Sequence, residues 1–113
     1  MSQILDLRLL RYFVAVAEEE HVSRAAERLH VSQSPLSRQI RELEARLGIE
    51  LFEREKKRLY LTTAGRHFLG EARDLLAQAE ATEARIKDWA RGGALNIGFV
   101  EGAMLGRVLD AAI

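Results

Sequence analysis

Several polar side chains between Ser32 and Arg41 are of types that recognise hydrogen-bonding surfaces. The amide of Gln33 and the guanidinium of Arg38 each present paired hydrogen-bonding atoms in a fixed fork. Adenine offers N6 and N7 in the major groove of DNA, and guanine offers O6 and N7, so both forks match base edges. Small hydroxyl side chains permit close approach of the backbone, and a free first helical turn suits a phosphate. The candidates drawn from these types are Ser32, Gln33, Ser34, Ser37, Arg38 and Arg41.

A helix must position these side chains. Apolar residues recur through the same stretch at steps of four, three and four, which predicts a helix with one buried stripe: Leu36, Ile40, Leu43 and Leu47. Ser32 is a candidate N-cap, Pro35 fits a first turn, and Gly48 suits a left-handed C-cap. Polar residues opposite an apolar stripe are also typical of any surface helix, so this helix alone leaves a solvated face as an open alternative.

Two further helices are predicted ahead of this one. Apolar spacing indicates a first helix over residues 7–17, which ends near the three carboxylates of residues 18–20. Ser23 is a candidate N-cap for a short second helix over residues 24–29, whose small apolar face permits close packing. The pattern breaks at residues 30–31, so the second and third helices are expected to meet across a tight turn.

Residues 51–62 have β-prone ends around a charged middle and predict a hairpin of two short strands. Only Glu55 opposes the positive charge at its tip, so the local field is positive although the whole chain is neutral. Such a tip can follow phosphates or place a cation in a narrow minor groove. A basic turn by itself is commonly solvated surface, but beside a helix pair it favours nucleic acid. The candidate cations are Arg54, Lys56, Lys57 and Arg58.

Residues 63–89 contain no proline and predict one long helix, with Thr62 or Thr63 as N-cap. Apolar and small residues recur at alternating steps of four and three, as in a coiled coil. At 1.5 Å per residue this helix is about 40 Å long, more than a small domain covers, so self-association is expected. Packing along its own domain is the alternative. The predicted dimerisation residues are Phe68, Ala72, Leu75, Ala79, Thr82, Ile86 and Trp89.

Beyond the long helix, residues 91–94 resemble a flexible link. Residues 95–100 then predict a short strand, and the residues after it have helical spacing up to Ile113. Because a single strand cannot form a sheet, we expect either a fragment of a longer protein or a tail that borrows a partner's sheet, and the fragment is favoured.

The composition excludes several classes of function. The 113 residues contain 17 basic and 17 acidic side chains and no cysteine, so disulfides and thiolate metal sites are absent. The three histidines show no metalloprotease spacing, and His67 with Glu71 is interpreted as a solvated pair. We therefore expect no enzyme activity, no metal and no cofactor. Charges interrupt the apolar stretches, including the one at the N-terminus, so neither a membrane span nor export is expected. The absence of cysteine fits a reducing cytoplasm.

Five sequence segments together carry a family resemblance. They read LRYFVAVA from residue 10, SRAAERLHVSQ from residue 23, SPLSRQIRELE from residue 34, LGIELFER from residue 47 and LTTAG from residue 61. Over about residues 7–91, and more loosely over the strand at 95–100, the chain resembles the N-terminal part of LysR-type transcriptional regulators.

The resemblance implies a mainly α fold with a winged helix-turn-helix DNA-binding domain over residues 1–62. It implies a linker helix over residues 63–90 that pairs antiparallel in a homodimer, and over residues 91–113 a hinge with the truncated start of an effector-binding domain. The implied function is sequence-specific double-stranded DNA binding that regulates transcription in response to a small-molecule inducer. A higher homo-oligomer is implied for the complete protein. The alternative is a helical protein–protein adaptor without DNA binding.

Carried over by position, Gln33, Ser34, Pro35, Ser37 and Arg38 match the family's DNA-contacting stretch. Many members have proline or alanine where this chain has Ser34. An apolar side chain there can contact the methyl group of a thymine, and in this chain a hydroxyl takes its place. The predicted hairpin corresponds to the family's wing. Many members have arginine in the wing where this chain has Lys57, and a small residue or proline where it has Arg58.

Overall fold

A computed structural model describes residues 5–92 of the chain. These residues form helices α1 (Leu7–Glu19), α2 (Val22–Leu29) and α3 (Gln33–Leu47), strands β1 (Phe52–Glu55) and β2 (Arg58–Leu61), and helix α4 (Thr63–Ala90). The mainly α architecture with one hairpin confirms the predicted fold class. The strand and helix predicted over residues 95–113 lie outside the described residues.

The first helix is closed at both ends by local hydrogen bonds. The Asp6 carboxylate accepts the backbone N–H of Leu9 at 2.7 Å. Glu20 ends α1 in the left-handed conformation with φ 62°, and its N–H donates to the carbonyl of Val16. The predicted end near residues 18–20 is confirmed.

The prediction that Ser23 caps the second helix is wrong. The N-cap is His21, whose carbonyl accepts the N–H of Ala25 at 3.0 Å, so α2 begins at Val22. Ser23 therefore lies inside the first turn. The small residues Ala25 and Ala26 are buried, which lets α2 pack closely as predicted.

The third helix has the predicted bounds. Ser32 is its N-cap, although its hydroxyl makes no capping hydrogen bond, and Pro35 occupies the first turn. Gly48 ends the helix with φ 72°. The predicted stripe faces the core: Leu36, Ile40 and Leu43 are each 1 % exposed, and Leu47 is half-buried.

The predicted hairpin is present. Its strands pair antiparallel, with Phe52 opposite Leu61 and Glu55 opposite Arg58, so the connecting turn consists of Lys56 and Lys57 alone. Lys56 adopts φ 55°, in the left-handed region that tight hairpin turns require.

The core gathers around Phe13 of α1. Its ring lies 5.4 Å from the ring of Phe52 in β1 and 4.8 Å, edge to face, from the ring of Phe68 in α4. Each such aromatic pair adds about 0.5–1.5 kcal/mol beyond the area it buries. The hairpin and the start of α4 are therefore fixed to the same central helix.

The last helix begins where the Thr62 hydroxyl accepts the N–H of Gly65 at 2.9 Å, which selects Thr62 between the two predicted caps. Helix α4 is continuous as predicted. The chain divides at Leu76 into two compact units. The first unit contains every element up to the first turns of α4. Of the second unit the structure describes the remaining turns of α4 and the turn at residues 91–92. No helix of residues 5–92 has the length and apolar character needed to cross a membrane.

Candidate nucleic-acid interface

Helix α3 presents a continuous polar face. At 100° per residue the five candidate side chains within the helix fall in an arc of about 140°, which begins beside the buried stripe at Gln33 and ends at Arg38. Gln33, Ser34, Arg38 and Arg41 are exposed, whereas Ser37 is half-buried. In the first turn of α3, the N–H groups of Gln33 and Ser34 lack an intrahelical acceptor, as at the start of any helix. The arrangement of α2, turn and α3 is a helix-turn-helix.

A cleft of about 400 Å³ joins this face to the hairpin. The α3 row Gln33, Ser37 and Arg41 forms one wall, and the start of α2 forms part of the rim. The other wall is the hairpin, so six of the eleven predicted contact residues share this cleft: Gln33, Ser37, Arg41, Arg54, Lys56 and Lys57.

Arg38 lies on a different side of the helix face. It lines a second cleft, of about 390 Å³, between α3 and the start of α1, together with Asp6, Glu42 and Arg46. Arg38 and Gln33 therefore flank the exposed face from opposite sides, instead of sharing one pocket.

Two of the four hairpin cations have partners inside the protein. Arg54 donates from Nη2 to Glu44 Oε1 at 3.2 Å. Arg58 is paired with the Glu20 carboxylate, and its guanidinium lies 5.2 Å from the centre of the Tyr60 ring. The charge predicted for the tip is therefore partly neutralised along the two strands.

The two turn lysines differ from these arginines. Lys56 and Lys57 are exposed, and neither forms an ion pair with any other residue between 5 and 92. The unbalanced positive charge of the hairpin is thus concentrated in its two-residue turn, beside the cleft.

Glu44 is a site residue that sequence reasoning missed. Its Oε2 accepts the backbone N–H groups of Leu51 at 2.8 Å and of Phe52 at 3.1 Å, in addition to the contact with Arg54. A carboxylate one turn after Ile40 and next to Leu43 borders the apolar stripe, which is the signal that could have revealed its burial.

The three carboxylates at the end of α1 are partners for basic residues of other elements. Glu18 pairs with Arg28 of α2 at 2.8 Å and with Arg73 of α4 at 2.6 Å, and Glu19 pairs with Arg28 at 3.2 Å. The hydrogen bond from Arg73 holds the pKa of Glu18 below its ordinary value of 4.5; partial burial opposes this shift and Arg28 reinforces it.

The predicted stripe along α4 divides into a buried and an exposed part. Ala72 is fully buried, and Phe68 packs against the core, so the domain itself occupies these two positions. Leu75, Ile86 and Trp89 are 44 %, 60 % and 46 % exposed. Between them, Ala79 is half-buried and Thr82 is exposed. The exposed stripe that a second copy could cover is therefore shorter than the stripe predicted from the sequence.

Among residues 5–92, no group of three histidine, aspartate or glutamate side chains is placed to hold a metal ion. His67 and Glu71 are both exposed on α4.

A helix-turn-helix followed by a hairpin packed beside its second helix defines the winged helix-turn-helix class. The sequence profile described as "Bacterial regulatory helix-turn-helix protein, lysR family" matches residues 7–66. The chain belongs to this family.

The most informative similarities are to one regulator and to two structures with DNA. The HTH-type transcriptional regulator XapR of Escherichia coli (strain K12) is 50 % identical over 105 residues, which is 91 % of this chain and 36 % of XapR. The crystal structure of a CbnR_DBD–DNA complex matches with a TM-score of 0.72 and 45 % identity, covering 76 % of this chain and 99 % of that chain.

The crystal structure of full-length CbnR complexed with its target DNA matches with a TM-score of 0.71 and 46 % identity, over 78 % of this chain and 31 % of that chain. The chain spans about a third of the length of the curated relatives it matches.

Proposed function

We propose that the chain binds specific sequences of double-stranded DNA and thereby regulates transcription. The observation that supports this most directly is the cleft in which the polar row of α3 lies beside the two lysines of the hairpin turn, which form no ion pair with another residue between 5 and 92. A helix of this width fits the major groove, and a basic turn beside it can reach the flanking backbone. The similarity to a regulator and to two DNA-bound structures supports the same assignment.

Within α3 we assign base reading to Gln33 and Arg38, because their forks match adenine and guanine and they flank the exposed face. Ser34 and Ser37 are small and let the helix backbone approach the DNA closely. We assign to Arg41, further along the row, a contact with a phosphate of the DNA backbone. Ser32 is the N-cap and Pro35 lies in the first turn, where the free N–H groups of Gln33 and Ser34 suit a phosphate.

In the wing, which is the hairpin of β1 and β2, we assign the principal DNA contacts to Lys56 and Lys57. Arg54 and Arg58 already have carboxylate partners, so a phosphate would have to compete with Glu44 or Glu20 for them. The wing therefore offers fewer free cations than its sequence contains.

We further propose that two copies associate through the exposed part of the α4 stripe. Leu75, Ile86 and Trp89 are large apolar side chains that a second copy of the same helix would cover. The family resemblance supports an antiparallel pair, a higher oligomer for the complete protein and a cytoplasmic location.

The division into a DNA-binding domain over residues 1–62, a linker over 63–90 and the start of an inducer-binding domain over 91–113 is part of the same proposal. Response to a small-molecule inducer would belong to that last domain.

Selection of bound sequences from a random DNA pool at near-physiological salt tests the proposal. We expect an enriched motif with two-fold symmetry, because two joined copies present two equivalent α3 helices. Affinity for that motif should fall steeply as salt rises. A chain that enriches no sequence, even in dilute buffer, would contradict the proposal and favour the adaptor.

Alanine substitutions distinguish contacts with bases from contacts with phosphates. We expect Arg38→Ala to cost about 1–3 kcal/mol of binding free energy and to relax preference at one base pair. Lys57→Ala should instead weaken binding to all sequences and lower the salt slope by about one. An equal loss on every sequence for Arg38→Ala would reassign Arg38 to a phosphate.

A further inference from the structure

Glu44 is the only charged residue that is buried in the described part of the chain, with 9 % of its surface exposed. A buried carboxylate is costly unless its oxygens are hydrogen-bonded and its charge is balanced. Glu44 meets both conditions through Leu51 and β1: the backbone N–H groups of Leu51 and Phe52 donate to Oε2, and the Arg54 guanidinium donates to Oε1. All of its partners belong to the wing or to the residue just before it.

The two N–H donors mark where the wing leaves the core. Leu51 and Phe52 are each 1 % exposed, so their side chains are fixed in the core while their N–H groups point toward α3. Glu44 lies one turn after Arg41, on the same helix as the row that lines the cleft. A single side chain thus links the helix that faces the cleft to the strand that forms its other wall.

The position of the wing depends on its contacts with the helices: β1 contacts Glu44 of α3, and β2 contacts Glu20 at the end of α1. Its two strands have four residues each, and a two-stranded hairpin of this size is marginal in water without external anchors. Lys57 lies three residues beyond Arg54, a distance of at most about 10 Å along a strand. We therefore expect a change in the contact between Arg54 and Glu44 to move the turn lysines.

We propose that Glu44 is a positioning residue that holds the wing at a fixed place relative to α3, and that it withholds Arg54 from DNA in doing so. This inference rests on the proposed DNA binding. Glu44 touches no base or phosphate in this scheme; it acts through the wing, by placing Lys57 where the backbone of a duplex bound to α3 passes.

A double-mutant cycle between Glu44 and Lys57 tests the inference, because the two side chains are not in contact. The four proteins are the full 113-residue chain, Glu44→Gln, Lys57→Ala and the double variant, each titrated with the selected DNA. Glutamine keeps the size of the side chain and one acceptor oxygen, but it cannot balance Arg54. The matched control is Glu42→Gln, which makes the same charge change on the same helix at an exposed position.

We expect Lys57→Ala to weaken binding on the order of fivefold in the wild-type and Glu42→Gln backgrounds, and less than about twofold in the Glu44→Gln background. The loss shrinks because a wing that Glu44 no longer holds against α3 presents Lys57 less well to the DNA, although its contacts with α1 remain. A role of Glu44 in stability alone would leave the cost of Lys57→Ala unchanged at concentrations where the protein is folded.

Equal costs of Lys57→Ala in all three backgrounds would overturn the inference while leaving the proposed DNA binding intact. A wild-type chain that binds no DNA would overturn both. If Glu44→Gln does not fold, the cycle is run between Arg54→Met and Lys57→Ala, which breaks the same ion pair from its more exposed end. Additive losses in that cycle would make Arg54 an independent DNA contact and would equally refute the inference.

Discussion

The first and the last turns of α4 carry the same spacing of apolar residues but differ in what covers them. Phe68 packs edge-on against Phe13 of α1 and Ala72 is fully buried, whereas Ile86 and Trp89 are about half exposed. A heptad spacing therefore shows that a helix has an apolar stripe, but it does not show which partner covers each part of it.

The close packing of the first turns of α4 depends on Gly65. A Cβ built there would lie 2.1 Å from the carbonyl oxygen of Leu51 and 2.9 Å from a methyl group of Leu61. The same carbonyl accepts the N–H of Thr62 at 3.0 Å. Because glycine has no side chain, the start of α4 can lie directly on the backbone that leads into the wing, and this close approach brings Phe68 to the core.

The largest expected effect is that of Gly65→Ala. The added methyl group would clash with a backbone carbonyl that also accepts the N–H of Thr62, and overpacking of this kind should cost about 3 kcal/mol of unfolding free energy. This loss exceeds the gain of about 1 kcal/mol that alanine brings to a helix interior. Urea denaturation followed by circular dichroism measures it.

Gly70→Ala is the matched control on the same helix, since nothing lies within 4 Å of the methyl group it would add. It should stabilise the protein by about 0.5–1 kcal/mol. If both variants proved more stable than the wild type, α4 would not be held against the wing backbone, and the contrast between its two ends would disappear.

Ile86→Asp tests the exposed end. A charge in an apolar seam between two copies should lower the association constant at least tenfold, or about 1.4 kcal/mol. The unfolding midpoint of the monomer, measured at high dilution, should not change, because Ile86 is 60 % exposed. Sedimentation equilibrium provides the masses.

The control for this variant is Ala84→Asp, which places the same charge about 200° around the helix from Ile86. It should leave the association constant unchanged. Equal dissociation by both variants would indicate general charge repulsion, and no dissociation by either would remove the exposed stripe from the proposed interface.

The elements were predictable because their signals are local. The steps between Leu36, Ile40 and Leu43 are set by the 3.6-residue period, and Gly48 ends the helix as expected. Ser23 was not a cap because the carbonyl of His21 accepts a helical hydrogen bond, so the helix begins two positions earlier than side-chain preference suggests. The backbone conformation at Glu20 and His21 therefore sets the start of α2, and the preference of serine for cap positions does not.

The pairing within the candidate site was not predictable in the same way. Arg54 and Glu44 are ten residues apart, and Arg58 and Glu20 are 38 residues apart, so no periodicity relates them. The sequence shows four cations around the wing turn, but only the folded chain shows that the two arginines have carboxylate partners. Local patterns indicate charge, whereas tertiary contacts determine which charge is available to a ligand.

The smallest expected effect concerns Glu18, whose contact with Arg73 ties α1 to the packed part of α4. Because its pKa in the folded protein is lowered below 4.5, the ion pair stabilises the fold at neutral pH. This contribution is lost as the pH falls through the lowered pKa, where folded and unfolded chains both become protonated. Exposed pairs contribute little, so Glu18→Gln should cost about 0.5 kcal/mol at neutral pH.

Urea denaturation of Glu18→Gln and the wild type at neutral pH and at a pH below that lowered pKa measures the difference. The curves should separate at neutral pH and converge in acid, since the wild-type carboxylate is then neutral like the amide. The exposed Glu42→Gln, whose partner Arg46 lies on the same helix, should show a smaller separation. A loss of equal size at both pH values would assign the role of Glu18 to packing, and the start of α4 would then be held to α1 by apolar contacts such as Phe13 with Phe68 alone.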